Sequence, residues 1–505
     1  MKKIVVLGGG TAGWLTALFL QKAYTDISIT VVEDPKRPPI IAGESGTSTI
    51  LKLYAYLDID IADWLEKVNA TPKMGGNFTD WNGIGTHFYH ALQTDINFVR
   101  PLDSNISTFG EVLANTDGIQ SADLYLRTLL ANDIKLSDAF FAGEYIKQNK
   151  VPRPNHPFKI GNMWHFESRD NAAYLKAIGI SRGLRLIEGE YTHSSQLENG
   201  DIKSIHLTDG QVLDADWFMD CSGFARLLLG KVMNEPVIDF TNYFPARSVI
   251  AWWDEPVYQV TTNAHAMKYG WRWNINLQHR SGNGYLYDPD HITEDQAMKE
   301  IEETLGKTIE PIAKLTIAPG MMRDVVKGNV IGIGLSSGFM EPLEANGVAI
   351  IIETLQVMSM HWNPTIVDDT MSSRINDRIW MAVEDTRDFL ALHYRGHRRD
   401  TEFWQSHGND AFRIPDTLKE KLEGWYLYYE YGRSQLLPTV YSSTAWLTVL
   451  QGLDIFKTDK LKIRYNEWLR NGQITFQKNR QIFKENVITC PTIEEWIKDK
   501  GIKNA

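Results

Sequence analysis

The N-terminal segment changes its hydrophobic pattern twice. An aliphatic run from Ile4 to Leu7 is followed by closely spaced glycines and then by apolar residues at helical spacing, Leu15, Leu18 and Phe19. A second apolar run, "SITVVE", follows the helical stretch. Short apolar runs on either side of a helical pattern are typical of a strand, a helix and a second, parallel strand. The pattern therefore predicts a βαβ unit and an α/β fold.

The stretch "YGWRWNINLQHRSGNGYLY" at 269–287 has the period of a strand instead. Its alternation places Trp271, Trp273 and Ile275 on one face and the polar residues between them on the other. Core packing explains two indoles on one face as readily as a function does, because aromatic rings bury large areas on pleated surfaces. This strand lies in a segment, about 229–317, that is predicted to be mainly β.

Helical spacing returns after residue 365. In "VEDTRDFLALHY" the residues Phe389 and Leu392 fall on one helix face. We therefore predict a module over 1–365, interrupted by the β-rich insertion, and a helical region over 366–505. The pieces of the module's nucleotide-binding part are expected at 1–90, about 160–228 and 318–365. Within the first piece, the small-residue loop "IIAGESGTSTI" is expected to open a helix that runs to about residue 69.

Composition narrows the functional class. The chain has 505 residues, 43% of them hydrophobic and 23% charged, as in ordinary globular proteins. A formal net charge of -11 argues against nucleic-acid or membrane-surface binding, and no apolar run is long enough to span a bilayer. Two cysteines, Cys221 and Cys490, form neither a disulfide framework nor a metal-ligand pattern, so we expect no metal site and a cytoplasmic location.

The glycines after the first strand match a dinucleotide-binding turn. Gly8 permits the tight turn, Gly10 lets backbone amides approach a pyrophosphate, and Gly13 allows the helix to pack closely on the strand. Glu33 ends the second strand about 20 residues later, where a ribose hydroxyl needs an acceptor. The motif lies at the N-terminus, as in many FAD enzymes, and the sequence has no second such motif for NAD(P)H. Reducing equivalents are therefore expected from a partner.

Several further motifs follow in order: "ATPKMGGNFTDW" (70–81), "WFMDCSGFARLLLG" (217–230) and "GNVIGIGLSSGFMEPLEANGVAIIIETLQ" (328–356). Together with the glycine turn and the tryptophan strand, this ordered set resembles the flavin-dependent tryptophan halogenase family. The resemblance reaches "DFLALHYRGHRRDTEFW" (388–404) and so covers about four fifths of the chain. It implies an FAD-binding, Rossmann-like flavoprotein of the glutathione reductase and hydroxylase type.

In that family, reduced FAD, oxygen and halide give hypohalous acid, which crosses a buried passage to a lysine beside the organic substrate. By motif, the resemblance assigns the lysine to Lys73 and a nearby activating glutamate to Glu344. It makes Trp271 and Trp273 the walls that keep the substrate from the flavin. The Asn346–Gly347 amides open a predicted helix and form a natural halide site, because free backbone N–H groups meet the positive helix end there. The residues implied for FAD binding are Gly8, Gly10, Thr11, Ala12, Gly13, Glu33, Ala42, Gly43, Glu44, Ser45, Leu335 and Gly347.

Two departures from the family pattern stand out. Asn276 replaces a proline after the tryptophans, and we expect this to loosen the strand end without moving the indoles. Ala345 and Asn346 replace the usual Ser-Thr after the glutamate, so a hydroxyl donor near the halide is missing. This predicts a preference for bromide or iodide over chloride.

The resemblance implies FADH2 and halide as cofactors, a separate NAD(P)H-dependent flavin reductase, a small aromatic substrate and a possible homo-oligomer. Residues that grasp free tryptophan cannot be matched, so another indole, a phenol or an electron-rich heteroarene remains an alternative. Two other functions stay open. One is a flavin aromatic monooxygenase, which the missing NAD(P)H motif disfavours. The other is a flavin-binding protein without catalysis, which retention of Lys73 and Glu344 disfavours.

Overall fold

The computed structural model describes residues 1–37, 43–46, 48–91, 129, 133–139, 141–153, 163–428, 440–441, 443–455, 477 and 480–503. The chain forms two compact units, each built from three segments. The first unit comprises Met1–Ala70, Phe166–Val249 and Leu315–Arg387, and the second comprises Thr71–His165, Ile250–Lys314 and Asp388–Ala505. The division into 1–365 and 366–505 stays a prediction.

The strands, numbered in chain order, are β1 Lys2–Leu7, β2 Ile27–Glu33, β3 Gly43–Gly46, β4 Thr71–Lys73, β5 Gly75–Thr79, β6 His87–Ala91, β7 Met163–Glu167, β8 Arg185–Glu188, β9 Tyr191–Gln196, β10 Ile202–Leu207, β11 Val212–Asp214, β12 Trp217–Asp220, β13 Val237–Asp239, β14 Ser248–Asp254, β15 Thr261–Met267, β16 Gly270–Asn276, β17 Ser281–Tyr287, β18 Pro311–Thr316, β19 Gly320–Met322, β20 Val326–Lys327, β21 Val330–Gly332 and β22 Gly338–Phe339.

The helices are α1 Thr11–Ala23, α2 Ser48–Tyr56, α3 Ile61–Lys67, α4 Leu136–Ala139, α5 Phe141–Gln148, α6 Ser168–Ser181, α7 Glu294–Leu305, α8 Asn346–His361, α9 Asp369–His393, α10 Glu402–Asn409, α11 Asp416–Tyr428, α12 Ser443–Gly452 and α13 Ile493–Lys503. Short 3₁₀ turns lie at Gly223–Ala225, Gly334–Ser336, Leu343–Ala345 and Ala411–Arg413. No helix in the described ranges is both long enough and apolar enough to cross a membrane.

A six-stranded sheet forms the centre of the first unit, in the order β20-β21-β12-β1-β2-β8. β1 runs parallel to both neighbours and pairs Ile4 with Trp217 of β12 and with Ile29 of β2. The apolar run at the end of β1 is fully buried, as expected for a strand covered on both faces. Only the short edge strand β20 is antiparallel to its neighbour. The predicted α/β class with a parallel sheet is confirmed.

A seven-stranded sheet forms the centre of the second unit, in the order β18-β14-β17-β16-β15-β5-β6. The tryptophan strand β16 lies between β15 and β17 and is antiparallel to both. The strands β13 to β18 form the predicted β-rich segment, and α9 to α13 form the helical C-terminal region. Both features of the predicted fold are therefore present.

The helix expected to reach residue 69 is two helices, α2 and α3. Asp58 has a φ of 53°, in the left-handed region that an α-helix cannot include. Asp60 then caps α3, because its Oδ1 accepts hydrogen bonds from the amides of Ala62 at 2.8 Å and Asp63 at 3.3 Å. The single-helix expectation was wrong because Asp58 ends one helix and the Asp60 cap starts another, although the apolar spacing continues across the break.

Candidate functional site

Packing constrains two glycines of the turn after β1 but not the third. Gly8 has a φ of +125°, and a Cβ atom there would lie 2.1 Å from the carbonyl oxygen of Cys221. A Cβ atom on Gly13 would lie 1.8 Å from the carbonyl oxygen of Gly8. Gly10 differs, because a Cβ atom there would meet nothing within 4 Å. Packing therefore requires the first and last glycines, whereas the middle one faces open space.

The open side of the turn carries hydrogen-bond donors and an acceptor. Gly10 is the N-cap of α1 and supplies no side-chain cap, so Thr11 and Ala12 open the helix with uncapped amides. A Cβ atom on Gly9 would lie 2.4 Å from Cγ of Glu33, so this carboxylate lies against the turn. Lys176 Nζ lies 2.9 Å from Glu33 Oε2 and partly balances its charge.

Two more predicted segments lie in the first unit, one beside the glycine turn and the other beside the turn that precedes α8. A Cβ atom on Gly334, the residue before Leu335, would lie 3.0 Å from Cβ of Ala12. Strand β3, which holds Gly43, Glu44 and Ser45, lies against the turn at Leu343–Ala345. Ala42 lies outside the described residues.

The turn before α8 has a strained backbone. Glu344 and Ala345 both have a φ of 58°, and such left-handed conformations cost roughly 1–2 kcal/mol per non-glycine residue. Asn346 is fully buried, and its Nδ2 donates to the carbonyl oxygens of Glu341 at 2.5 Å and Leu343 at 2.8 Å. These bonds hold the turn and use both amide protons. Neither Ala345 nor Asn346 thus offers an anion a side-chain donor.

The start of α8 supplies backbone donors instead. The helix begins at Asn346, and its N-cap, Ala345, makes no side-chain cap hydrogen bond. The amides of the first turn, including that of Gly347, therefore have no acceptor within the helix. They lie at the positive end of the helix dipole. A small anion is the ligand that such an end binds best.

Lys73 is a buried cation in the second unit. It ends the three-residue strand β4, all of whose residues are buried, and its own exposure is 6%. β4 pairs with β7, Thr71 opposite His165 and Lys73 opposite Met163. A lysine this deeply buried is rare in proteins, so Lys73 is not a solvated loop residue.

A histidine that belongs to none of the sequence motifs lies beside this lysine. His165 is fully buried and bonds through Nε2 to Thr262 Oγ1 at 2.8 Å, with Thr71 Oγ1 3.4 Å from Nδ1. Burial, together with the charge of Lys73, lowers the pKa of His165 well below its ordinary value. The imidazole is thus neutral at physiological pH. The sequence "MWHFE" indicates a strand that contains His165, but it does not indicate which residue lies opposite His165 on the neighbouring strand.

The two tryptophans of β16 share a face, as predicted, but differ in their surroundings. Their ring centroids are 5.9 Å apart. Trp271 is 2% exposed and packs against Trp81, with a centroid distance of 6.0 Å, so it belongs to the core. Trp273 is only half-buried. Of the pair, Trp273 is therefore the one that keeps accessible indole surface.

The opposite face of the same sheet carries a row of asparagine amides. Asn77, Asn263, Asn274 and Asn283 lie on adjacent strands, and each donates through Nδ2 to Oδ1 of the next at 2.9–3.2 Å. The alternation predicted for β16 is therefore confirmed on both faces. Strands joined by such bonds hold their register, which fixes the tryptophan face.

The end of β16 is held by hydrogen bonds, so the expectation that the missing proline loosens it was wrong. Asn276 is buried, its carbonyl oxygen accepts a hydrogen bond from Thr71 Oγ1, and its Oδ1 accepts one from Ser281 Oγ at 3.1 Å. The side chain that replaces the proline supplies bonds of its own. Because Thr71 lies two residues before Lys73, this contact ties the lysine strand to the tryptophan strand.

The structure thus groups the predicted residues within each unit. The first unit holds the glycine turn, Glu33, Leu335 and the α8 terminus with Glu344, and the second holds Lys73 and the tryptophan pair. No group of three or more His, Cys, Asp or Glu side chains that could hold a metal ion is found among the described residues.

Comparison with known proteins identifies the family. The sequence model of the tryptophan halogenase family matches residues 3–464. The tryptophan 7-halogenase RebH of Lentzea aerocolonigenes is 31% identical over 435 residues, which span 83% of this chain and 81% of RebH. The tryptophan 6-halogenase ThaL of Streptomyces albogriseolus is 30% identical over 443 residues, 84% of this chain and 81% of ThaL.

Solved structures with a similar fold match almost the full length of the sequence. The tryptophan 6-halogenase SttH of Streptomyces toxytricini superimposes with a TM-score of 0.85 at 25% identity, covering 99% of this chain and 100% of SttH. BrvH, a flavin-dependent halogenase from Brevundimonas sp. BAL3, gives a TM-score of 0.83 at 25% identity, covering 99% of each chain. The chain therefore belongs to the tryptophan halogenase family and is an enzyme of the flavin-dependent halogenase class of oxidoreductases.

Proposed function

We propose that this enzyme uses FADH2, O2 and halide to make hypohalous acid and halogenates an electron-rich aromatic molecule through Lys73. The balance is FADH2 + O2 + X⁻ + H⁺ → FAD + HOX + H2O, and then ArH + HOX → ArX + H2O. The observation that carries the proposal is the burial of Lys73, at 6% exposure, within the range of residues that the family model matches.

The residues of the first unit fit FAD. Open space at Gly10 next to the uncapped amides of α1 suits a pyrophosphate, and Glu33 beside the turn suits a ribose hydroxyl. The bound, reduced cofactor would supply two of the electrons that reduce O2, and the halide would supply the other two as it is oxidised to hypohalous acid. The protein's own part is to bind and orient it through the glycine turn, the Leu335 segment and β3.

The amides at the start of α8 are proposed to hold the halide, with Gly347 as a donor. Because both protons of the Asn346 amide bind carbonyl groups, the site relies on backbone donors and the helix dipole. An ion that loses its water must regain hydrogen bonds, and the smaller chloride has more to regain than bromide or iodide. A donor-poor site therefore favours the larger halides.

Lys73 and Glu344 are proposed to direct the substitution. The Lys73 amine holds the electrophilic halogen, by a hydrogen bond to hypohalous acid or as a haloamine, and presents it to the arene. Glu344 polarises the hypohalous acid and accepts the proton that the ring loses. The half-buried indole of Trp273 offers a flat wall against which an aromatic ring can stack.

The substrate is proposed to be an indole, a phenol or another electron-rich ring, and not necessarily free tryptophan. Relatives in the family act on tryptophan by name, which supports an aromatic substrate of similar size. A separate NAD(P)H-dependent flavin reductase is proposed as the source of FADH2, since the sequence has one dinucleotide motif.

The test is an incubation of the purified enzyme with FAD, a flavin reductase, NADH and each halide in turn, against a panel of arenes. Mass spectrometry is expected to show halogen isotope patterns. A gain of one oxygen in their place would favour the monooxygenase, and unchanged arenes with every halide would favour a non-catalytic flavin protein.

A further inference from the structure

His165 has no role in the proposed chemistry so far, yet it lies within reach of Lys73. Residues two apart on a strand point to the same face, so Thr71 and Lys73 share a face of β4. His165 lies directly opposite Thr71 on β7 and is therefore on that same face, diagonal to Lys73. Diagonal neighbours on paired strands are about 7–8 Å apart, within the range of side-chain interactions.

The hydrogen bonds around His165 determine its tautomer. Thr71 Oγ1 has one proton and donates it to the carbonyl oxygen of Asn276. It can therefore only accept from His165, so Nδ1 of the imidazole carries the proton. Nε2 is then an acceptor, and Thr262 Oγ1 donates to it at 2.8 Å. One directed chain runs from Thr262 through His165 and Thr71 to Asn276.

This chain joins four strands of the second unit. Thr262 belongs to β15, His165 to β7, Thr71 to β4 and Asn276 to β16, so the imidazole fixes the lysine strand against the tryptophan sheet. Protonation of His165 would break the chain, because Nε2 would become a donor facing a hydroxyl that already donates to it. Burial and the charge of Lys73, the charged group that acts on this ring, both oppose that protonation.

We propose that His165 is a positioning residue for the reaction at Lys73: a neutral, Nδ1-protonated imidazole that fixes the lysine strand and adds no second positive charge beside the amine. The inference rests on the proposed function, since it gives Lys73 the electrophile. Each ring nitrogen of His165 is hydrogen-bonded to a threonine hydroxyl group. His165 therefore acts through strand β4 and not on the substrate. A second cation there would repel the ammonium, and a ring without nitrogens would leave two buried hydroxyls without their partner.

The first test compares His165→Phe, which keeps a ring but no nitrogens, with His165→Asn, which keeps a donor toward Thr71. We expect His165→Phe to lower the yield of halogenated arene per FADH2 consumed by about tenfold while FADH2 oxidation continues unchanged. His165→Asn should recover most of the yield, and the exposed His279→Phe should match the wild type. If His165→Phe does not fold, Thr262→Val removes the Nε2 donor alone and should lower the same yield several-fold.

The second test does not depend on activity. ¹⁵N spectra of histidine-labelled enzyme, with the His165 signal identified by its loss in His165→Asn, should show a protonated Nδ1 and a bare Nε2 at about pH 8 and at about pH 6. Two results would overturn the inference about His165 but not the proposed function. One is a protonated Nε2, and the other is a full halogenation yield in His165→Phe while Lys73→Ala is inactive. Absence of any halogenated product from the wild type overturns the proposed function.

Discussion

The indole of Trp273 lies on Gly284, the residue directly opposite it on β17. A Cβ atom at position 284 would lie 2.0 Å from Cζ2 and 2.3 Å from Cη2 of the indole, far inside van der Waals contact. Trp273 can adopt this orientation only because residue 284 has no side chain. The half-buried wall of the proposed substrate site thus depends on a glycine of the neighbouring strand.

Replacing this glycine should displace the indole. We expect Gly284→Ala to lower the free energy of unfolding by about 1–3 kcal/mol, because the added methyl group overpacks the site. The yield of halogenated arene per FADH2 consumed should fall with it. Trp273→Phe in the Gly284→Ala background should recover stability, since phenylalanine lacks Cζ2 and Cη2. Thermal unfolding checks this, and an unchanged melting temperature in Gly284→Ala would contradict it.

Two glycines of the first turn should respond differently to the same change. Gly10→Ala places its methyl group in open space, so the protein should fold with nearly wild-type stability but bind FAD at least about tenfold more weakly, because the methyl group occupies the pyrophosphate's place. Gly13→Ala forces a methyl group to 1.8 Å from the Gly8 carbonyl and should unfold the unit. Flavin fluorescence and circular dichroism separate the outcomes. Tight FAD binding by a folded Gly10→Ala enzyme would be the contrary result.

Halide preference should follow the donors near α8. Ala345→Ser returns a hydroxyl to the turn and leaves the bonds of Asn346 in place. Because one hydrogen bond to a charged group is worth about 1.5–3 kcal/mol, we expect chloride turnover to rise at least several-fold relative to bromide. Competition between the two halides, read from product isotope patterns, measures the ratio. If the wild type already prefers chloride, the argument from missing donors is wrong.

Stability should depend on pH through His165. The folded protein holds the pKa of His165 well below its ordinary value by burial and by the charge of Lys73, whereas the unfolded chain titrates at about 6.5. Below that pH the unfolded chain binds a proton that the folded chain does not, so stability falls as the pH falls. When the pH falls from about 7.5 to about 5.5, the free energy of unfolding of His165→Phe should decrease by about 1 kcal/mol less than that of the wild type. Urea unfolding, with His279→Phe as the control, decides this, and equal losses in all three proteins would refute it.

The glycine turn was predictable because its constraints are local. Gly13 must lack a side chain because it lies against the carbonyl group of Gly8, only five residues earlier. The order of strand, turn and helix follows from residues that are close together in sequence. The break between α2 and α3 was also readable in principle, since Asp60 has the form of a helix cap, but the apolar spacing around it was continuous.

His165 and Gly284 were not predictable in the same way. Each acquires its role from a residue on a paired strand, Thr71 in one case and Trp273 in the other, at a register that only the folded sheet sets. The same applies to Asn276, whose carbonyl group meets Thr71 more than two hundred residues away in sequence. A single sequence reveals periodicity and motifs, whereas these pairings come from the tertiary structure.

The most direct measurement follows two products in one reaction. Lys73→Ala enzyme, supplied with flavin reductase, NADH, halide and an accepted arene, should oxidise FADH2 at the wild-type rate and form no halogenated arene. The exposed Lys135→Ala should match the wild type in both. Halogenation at full rate in Lys73→Ala would show that the buried amine takes no part in the reaction, which contradicts the role proposed for Lys73.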